Sequence, residues 1–535
     1  MSKNSYLKGA AILSVGAILA KFLGIFFKIP LSHIIGDIGL GLYAYPYPIY
    51  NFFLSISVIG LPLAISKLVS ERAALGNYRE AHRIFKISLV LLIIIGGVSS
   101  FLLYVLRNVI IHVLNWHPDA YYALIGISFA PFFVSLMSAF RGYFQGLQVM
   151  TPTAVSQIIE SIGRVIGGLG LSILLVNLYG IPEAAGGASF GATAGAMVGS
   201  AFLISLYLLN KKNIHRRIDR SPKGRRESTQ LILRRLLAIS IPACISATVT
   251  SLMGIIDTSM VPARLAQAGF TMNESAALFG QMTQKAQTLV NVPLALSTAL
   301  SASLVPAISE AIALRDREEL KNRVELGIRS VLLVALPAAV GLSLLSGPII
   351  SLLFGDSDGG SILTILAYSV IFVMLTATLQ SILQGLNQMI VPIRNLLAGA
   401  IIKVIVNYIL VAIPQLNIQG AAIGSIVAYA VASFLNYKSV KKYTKVKIRI
   451  GQTVIKPVIA VLAMGVMVLM TYYSTHGLLG NSISTLLSIG LGAIVYFIVL
   501  LFIGGITVQE MEVIPGGNRL TPILKKFGFL RREKK

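Results

Sequence analysis

The chain has 535 residues, 55% of them hydrophobic and only 12% charged, with a mean hydropathy of +0.80. That charge content is about half of the roughly 25% usual in soluble domains, which excludes a soluble multidomain protein. The single cysteine, Cys244, excludes an internal disulfide and a cysteine-based metal cluster. A net charge of +25 would suggest nucleic acid in a soluble protein, but its placement argues otherwise.

Fourteen apolar stretches follow in chain order, each able to cross a hydrocarbon layer of about 30 Å as a helix of about 20 residues. They cover 9–34, 41–68, 87–113, 121–143, 153–178, 188–210, 236–262, 278–307, 328–354, 361–386, 393–413, 419–437, 454–473 and 483–506. The first runs past Lys21 and Lys28 without a small-residue cleavage site and leads into another span, so it is not a cleavable signal peptide. Gly24 and Pro30 flank Lys28, which marks span one as the expected bent, cavity-lining helix. In span six, Gly187, Gly191, Gly195 and Gly199 form a stripe at helical spacing, read first as close helix packing and second as a sliding surface.

The chain repeats itself about 240 residues apart. QGLQVMTP around Gln145 returns as QGLNQMIVP around Gln384; LPLAIS at Pro62 returns as VPAIS at Pro306; GATAG after Pro182 returns as GAAIG after Pro414. Six spans precede the basic loop Lys211–Arg226 and six more follow before a second basic loop, Tyr437–Arg449. Copies with an even number of spans insert in the same orientation, as parallel repeats with a substrate path at their interface. The expected organisation is an N-lobe at 1–210, a basic linker at 211–230, a C-lobe at 231–440, an unduplicated helix pair at 441–506 and a basic amphipathic tail at 507–535. The expected fold is all-α and polytopic.

Thirty-seven of the 45 Lys and Arg residues fall on the side of the spans that carries both termini, and only Arg107 and Arg264 fall opposite. By the positive-inside rule, both termini and the basic loops face the cytoplasm. The basic loops are topology determinants that also suit anionic headgroups, not nucleic acid.

Six cations remain inside the spans: Lys21, Lys28, Lys67, Arg164, Lys285 and Lys403. Each costs about 2.5–3.5 kcal/mol at the bilayer centre on insertion scales, so such residues face the bundle interior or a water path. Glu160 and Asp257 are the clear acids at comparable depth. The interior is thus net positive, which suits an anionic passenger such as a phosphate or pyrophosphate. Competing readings stand beside this one. Lys67 and Lys285 have the length to snorkel to an interface, and Glu160 and Arg164, four apart, form a neutralising pair. Lys21 and Lys28, seven apart on one helix face, are read as substrate-facing. A shift of 239 residues carries Arg164 onto Lys403, with Asn407 one turn further. No G-x-S-x-G, H-E-x-x-H or Walker pattern and no metal-ligand spacing occurs, so neither enzyme activity, cofactor nor metal is expected.

A-K-F-L-G at Ala20–Gly24, I-I-G at Ile34–Gly36, G-L-Y at Gly41–Tyr43 and G-L-P-x-A-I-S-K-L-V-S-E at Gly60–Glu71 resemble the MurJ/SpoVB-like polysaccharide transporters of the MOP exporter superfamily. The resemblance covers essentially the whole chain, including the six, six and two span count. It implies two lobes around a cationic cavity, a terminal helix pair that holds a lipid tail, and movement of undecaprenyl-pyrophosphate-linked sugars from inner to outer leaflet. Lys21 matches the cavity cation that precedes the L-G of span one. Lys28 sits one position from a second, and Lys285 about two residues out of register on the matching helix. The family's span-two arginine has no counterpart between Gly41 and Ser66. Where some members bind sodium in span eleven, Lys403 and Asn407 stand here, which argues against a sodium site. The expectation is a monomeric flippase in the bacterial plasma membrane for lipid II, with membrane lipids as its surroundings. The alternatives are a flippase for another wall, capsule or spore-cortex glycan, and a MATE-like drug or cation antiporter. Glu160, Asp257 and Asn407 are the gating or coupling candidates.

Overall fold

In a membrane a helix satisfies its own backbone N–H and C=O groups, so long apolar runs resolve into helices. The computed structural model describes residues 3–55, 60–221, 227–446 and 448–505, and all regular elements among the described residues are helical. The expected tail at 507–535 and the centre of the basic linker lie outside the described residues.

The chain divides into two compact units, Met1–Gln284 and Lys285–Lys535. The first holds α1 (Lys3–Ala44), α2 (Tyr47–Leu54), α3 (Leu61–Ala74), α4 (Tyr78–Val105), α5 (Arg107–Val113), α6 (Ala120–Ser128), α7 (Ala130–Gly146), α8 (Thr151–Leu178), α9 (Ile181–Leu209), α10 (Lys211–Asp219), α11 (Thr229–Gln267) and α12 (Met272–Gly280). A π-helical turn, Gln281–Ala286, carries the division. The second holds α13 (Gln287–Ala313), α14 (Arg317–Leu344), α15 (Ser346–Phe354), α16 (Gly360–Leu366), α17 (Ser369–Gly385), α18 (Ile390–Leu410), α19 (Asn417–Thr444) and α20 (Lys456–Phe502).

Helix starts follow the local chemistry. Asn77, Ser228 and Asp316 accept backbone N–H groups at the starts of α4, α11 and α14, and Thr271 with Glu274 forms a reciprocal box at α12. α1 is broken just beyond the span that Gly24 and Pro30 mark as bent. Both stay helical, and the chain leaves the helix at Gly36, with φ +61°. α20 breaks the same way at Gly480, with φ +71°. Only glycine enters that region without a Cβ penalty, and a membrane helix tolerates a proline whose neighbours satisfy the freed carbonyl.

Ten helices among the described residues are long and apolar enough to cross a membrane, or eleven with α16 and α17 counted as one span bent by 41°. The fourteen expected spans are consistent with this count. Segment 41–68 is divided among the end of α1, α2 and α3; segment 278–307 begins in α12, runs through the π turn and ends in α13; spans thirteen and fourteen merge in α20.

The duplication is visible in the packing inside each unit. In the first, α9 packs on α6, α7 and α8; in the second, α19 packs on α16, α17 and α18. A Cβ placed on Gly146 would lie 2.6 Å from Val69 Cβ and 2.9 Å from the Ser66 carbonyl; one placed on Gly385 would lie 2.8 Å from Ile308 Cβ and 3.0 Å from the Val305 carbonyl. Every residue in this contact is shifted by the same 239 positions. Similarly, Gly187 and Gly191 abut Leu171 and Gly168, while Gly420 and Gly424 abut Leu410 and Asn407. Gly424 therefore corresponds to Gly191, one helical turn from the pairing that GATAG and GAAIG suggest. The same one-turn correction applies to LPLAIS and VPAIS. A slip of four residues keeps side chains on one helix face, so sequence tolerates it and packing does not.

Two further features organise the first unit. A core of Leu61, Ile65, Phe85, Phe140, Tyr143 and neighbours joins α3, α4 and α7, with the Phe85 and Tyr143 rings stacked 4.4 Å apart. At the opposite ends of these helices, α11 and α12 are fastened to α1 and to the turn after α5. Tyr45 is stacked between Trp116 at 5.5 Å and Phe279 at 5.0 Å. Trp116 Nε1 donates to the Thr258 carbonyl at 2.7 Å, and Thr258 donates its hydroxyl to the Tyr45 carbonyl at 3.0 Å. Gln281 donates to Asp37 at 2.7 Å beside the close crossing of Gly41 with Ala276.

Candidate functional site

The glycine stripe on α9 decides where the charges on α8 sit. A Cβ on Gly191 would lie 2.7 Å from the Arg164 carbonyl, and Gly195 touches the Glu160 carbonyl. Bare backbone thus lets α8 lie directly on α9, and the stripe is a packing surface, as its first reading held. With that face of α8 taken, Glu160 and Arg164 project elsewhere.

They form a cluster with a third member. Glu160 accepts from Arg164 at 3.3 Å through one oxygen and from Arg141, on α7, at 3.0 Å through the other. Arg141 also donates from Nε to the Ser156 hydroxyl at 2.9 Å, so one edge of its guanidinium is held by two partners. Side-chain exposure is 11% for Arg141, 16% for Glu160 and 30% for Arg164. Two guanidiniums and one carboxylate leave one positive charge, and it rests with the more open partner, Arg164. Tyr43, Tyr47 and Tyr50 lie within electrostatic range of Arg164, with the Tyr43 hydroxyl donating to Tyr47 at 2.6 Å.

The other predicted residues of the first unit are spread along their helices. On α1, Lys21 is exposed and Lys28 half-buried, where neighbouring Phe27 packs its ring against Gly168 of α8. Lys67 is exposed on α3, and Asp257 is half-buried on α11.

In the second unit Lys403 and Asn407 are buried on α18, at 2% and 0% exposure. The spacing of 239 puts Lys403 at the place of Arg164, but Gly399 stands where the first copy has Glu160. Asn407 fills the place of Gly168, and its amide is admitted because Gly424 opposite carries no side chain. Lys285 is fully buried and bound by both oxygens of Asp356, at 2.7 and 2.9 Å, with the Phe354 ring 5.8 Å from Nζ.

Three partners escaped sequence reading. Arg141 was counted with the loop charges but lies inside α7; its spacing from Glu160 carries no helical signal because the two are on different helices. Asp356 lies in the turn after α15, 71 positions from Lys285, where no sequence period links the two. Arg329, also counted as a loop charge, is buried at 5% exposure and donates to the Gly505 carbonyl at 2.9 Å. No group of three or more His, Cys, Asp or Glu side chains arranged to hold a metal occurs among the described residues.

The family model described as "Polysaccharide biosynthesis protein" matches residues 6–312, and the MatE model matches 282–409. The chain is similar to the Lipid II flippase MurJ of Bacillus subtilis, 28% identical over 87% of this chain and 88% of that protein. It is also similar to the Stage V sporulation protein B of the same organism, 27% identical over 97% and 99%. Among solved structures, the inward closed conformation of a lipid II flippase MurJ matches 92% of this chain and 98% of its own, with TM-score 0.63 at 17% identity. An inward-facing multidrug resistance MATE family transporter of the MOP superfamily matches 80% and 94%, with TM-score 0.64 at 17% identity.

Proposed function

Because the chain belongs to the polysaccharide biosynthesis protein family, as a MurJ/SpoVB-like flippase of the MOP superfamily, we propose that its passenger is an undecaprenyl-pyrophosphate-linked glycan, lipid II or a close relative. The passenger is carried from the inner to the outer leaflet of the bacterial plasma membrane by alternating access. The observation that carries this reading is the surplus cation of the Arg141–Glu160–Arg164 cluster. A guanidinium fork matches phosphate oxygens in pairs, and a partly dehydrated site strengthens that bond. Arg141 is engaged by Glu160 and Ser156 and is the less exposed of the two, so Arg164 is the arm that meets the pyrophosphate. Lys21, Lys28 and Lys67 extend the positive path. Lys403 supplies the matching charge in the second copy, and Lys285 joins it when Asp356 yields.

In this reading 1–210 and 231–440 are the lobes that rock, with both termini cytoplasmic and the protein working as a monomer. The Trp116–Tyr45–Phe279 stack is a closed outer gate, and Glu160, Asp257 and Asn407 are the gating or coupling groups. The membrane potential favours the outward step, by about 2.3 kcal/mol per charge moved through 100 mV. The pyrophosphate moves outward down the field, and the emptied, positively charged carrier returns inward down the same field. Transport uses no covalent chemistry and no cofactor.

The test is whether this gene alone restores growth to cells depleted of their lipid II flippase. Failure there, with rescue of cells lacking a spore-cortex or capsule flippase, moves the passenger to another glycan, a reading supported by the near full-length similarity to the Stage V sporulation protein B. A drug or cation antiporter is supported by the MatE match at 282–409. It requires export of cationic dyes driven by a sodium or proton gradient.

A further inference from the structure

We propose that the first unit holds a resident anionic glycerophospholipid, with one acyl chain inserted between α7, α8, α9 and α10 and its phosphate on Arg217. A cavity of about 450 Å3 lies at the end of these helices that carries the basic loops. That volume falls within the roughly 300–1,000 Å3 typical of small-molecule sites. Its walls are apolar, from Phe144, Leu147, Phe202 and Leu206, and its polar side comes from Arg217, Asn210 and Asn213. Unfilled apolar space forfeits dispersion contacts, so a chain of methylenes is the occupant the walls favour.

The position of α10 sets the headgroup. Leu208 and Leu209 at the end of α9 are 56% and 81% exposed, and Lys211 and Lys212 follow at once. Apolar surface gives way to cationic surface within one turn, which marks the hydrocarbon–headgroup boundary. There α10 is a nine-residue amphipathic helix. Ile214 and Ile218, four apart, face the cavity, while Lys211, Lys212 and Arg216 stay exposed on the same helix. Arg217 is the exposed cation that lines the cavity, and it sits 5.7 Å over the Tyr78 ring. A zwitterionic headgroup would bring its own cation against these. An anionic one is drawn by the basic residues near the surface. The inference does not rest on the identity of the transported glycan.

The experiment uses the delipidated full-length protein in neutral detergent. Phosphatidylglycerol or phosphatidylcholine of identical acyl chains is added, and retained lipid and unfolding temperature are read by native mass spectrometry and thermal melts. Phosphatidylglycerol is expected to be retained at one per chain at this site and to raise the melting temperature, with phosphatidylcholine at least tenfold weaker. Arg217→Gln and Leu206→Trp should each remove that increment, the first by loss of the phosphate contact and the second by filling the cavity. If Leu206→Trp does not fold, Arg217→Gln still tests the site because it leaves the walls intact. Equal retention of both lipids, or full retention by Arg217→Gln, overturns the proposal. So does an equal melting shift from inorganic phosphate, which would make this an anion site, or displacement by undecaprenyl phosphate, which would make it part of the substrate path.

Discussion

Replacing Glu160 with Gln should separate the two arginines it joins, by amounts that differ in a predictable order. Arg141 is 3.0 Å from Glu160, with side-chain exposures of 11% and 16%, and its Nε is fixed by Ser156. At an effective dielectric of 20, two unit charges about 4 Å apart attract by about 4 kcal/mol. Stranding a buried charge by removing its partner typically costs about 3–5 kcal/mol. The structure places Arg164 differently: 3.3 Å away, four residues along the same helix, and 30% exposed. Screening reduces such a pair to about 0.3–0.5 kcal/mol. Double-mutant cycles on Glu160→Gln with Arg141→Gln and with Arg164→Gln, read by denaturation in mixed micelles, should therefore give couplings of about 2–3 and about 0.5 kcal/mol. Flipping should follow charge instead. Arg164→Gln leaves the cluster neutral and should lose transport at little cost to stability, while Arg164→Lys keeps the charge and should retain part of the activity. Equal couplings, or normal flipping by Arg164→Gln, would refute the division into a holding arginine and a binding arginine.

Lys21→Ala should abolish flipping while inserting normally, with Lys21→Arg partly active; a normal rate for the alanine variant in vesicles removes Lys21 from the path. In a Cys244→Ser background, cysteines at Arg164 and Lys403 should react with water-soluble thiol reagents, and protection of both while a cysteine at Lys21 reacts would make the pair structural. Gly424→Ala should eject the Asn407 amide and lower the melting temperature, by an amount comparable to the roughly 1–3 kcal/mol of overpacking, whereas Gly97→Ala, with open space around it, should not. Flipping in sealed, sodium-free vesicles at equal pH should respond to an imposed potential; indifference to potential with dependence on sodium would favour the antiporter reading.

The membrane class, the duplication and the surplus of internal cations were legible in the order of residues alone, because hydropathy and charge are local properties that the bilayer sorts directly. So was the 239-residue spacing that equates Arg164 with Lys403. Partners were not. Arg141 lies on a different helix from Glu160, and Asp356 lies in a turn far along the chain from Lys285; no period in a sequence links residues that meet only through packing. Register was uncertain for a related reason: a one-turn slip leaves every side chain on its face, so GATAG and GAAIG align plausibly four residues off. Only the contact of bare glycine with the facing backbone decides between the alternatives. The break in α1 was decided by the tertiary structure: the positive φ at Gly36 requires glycine and ends the helix there, while Gly24 and Pro30 stay within it.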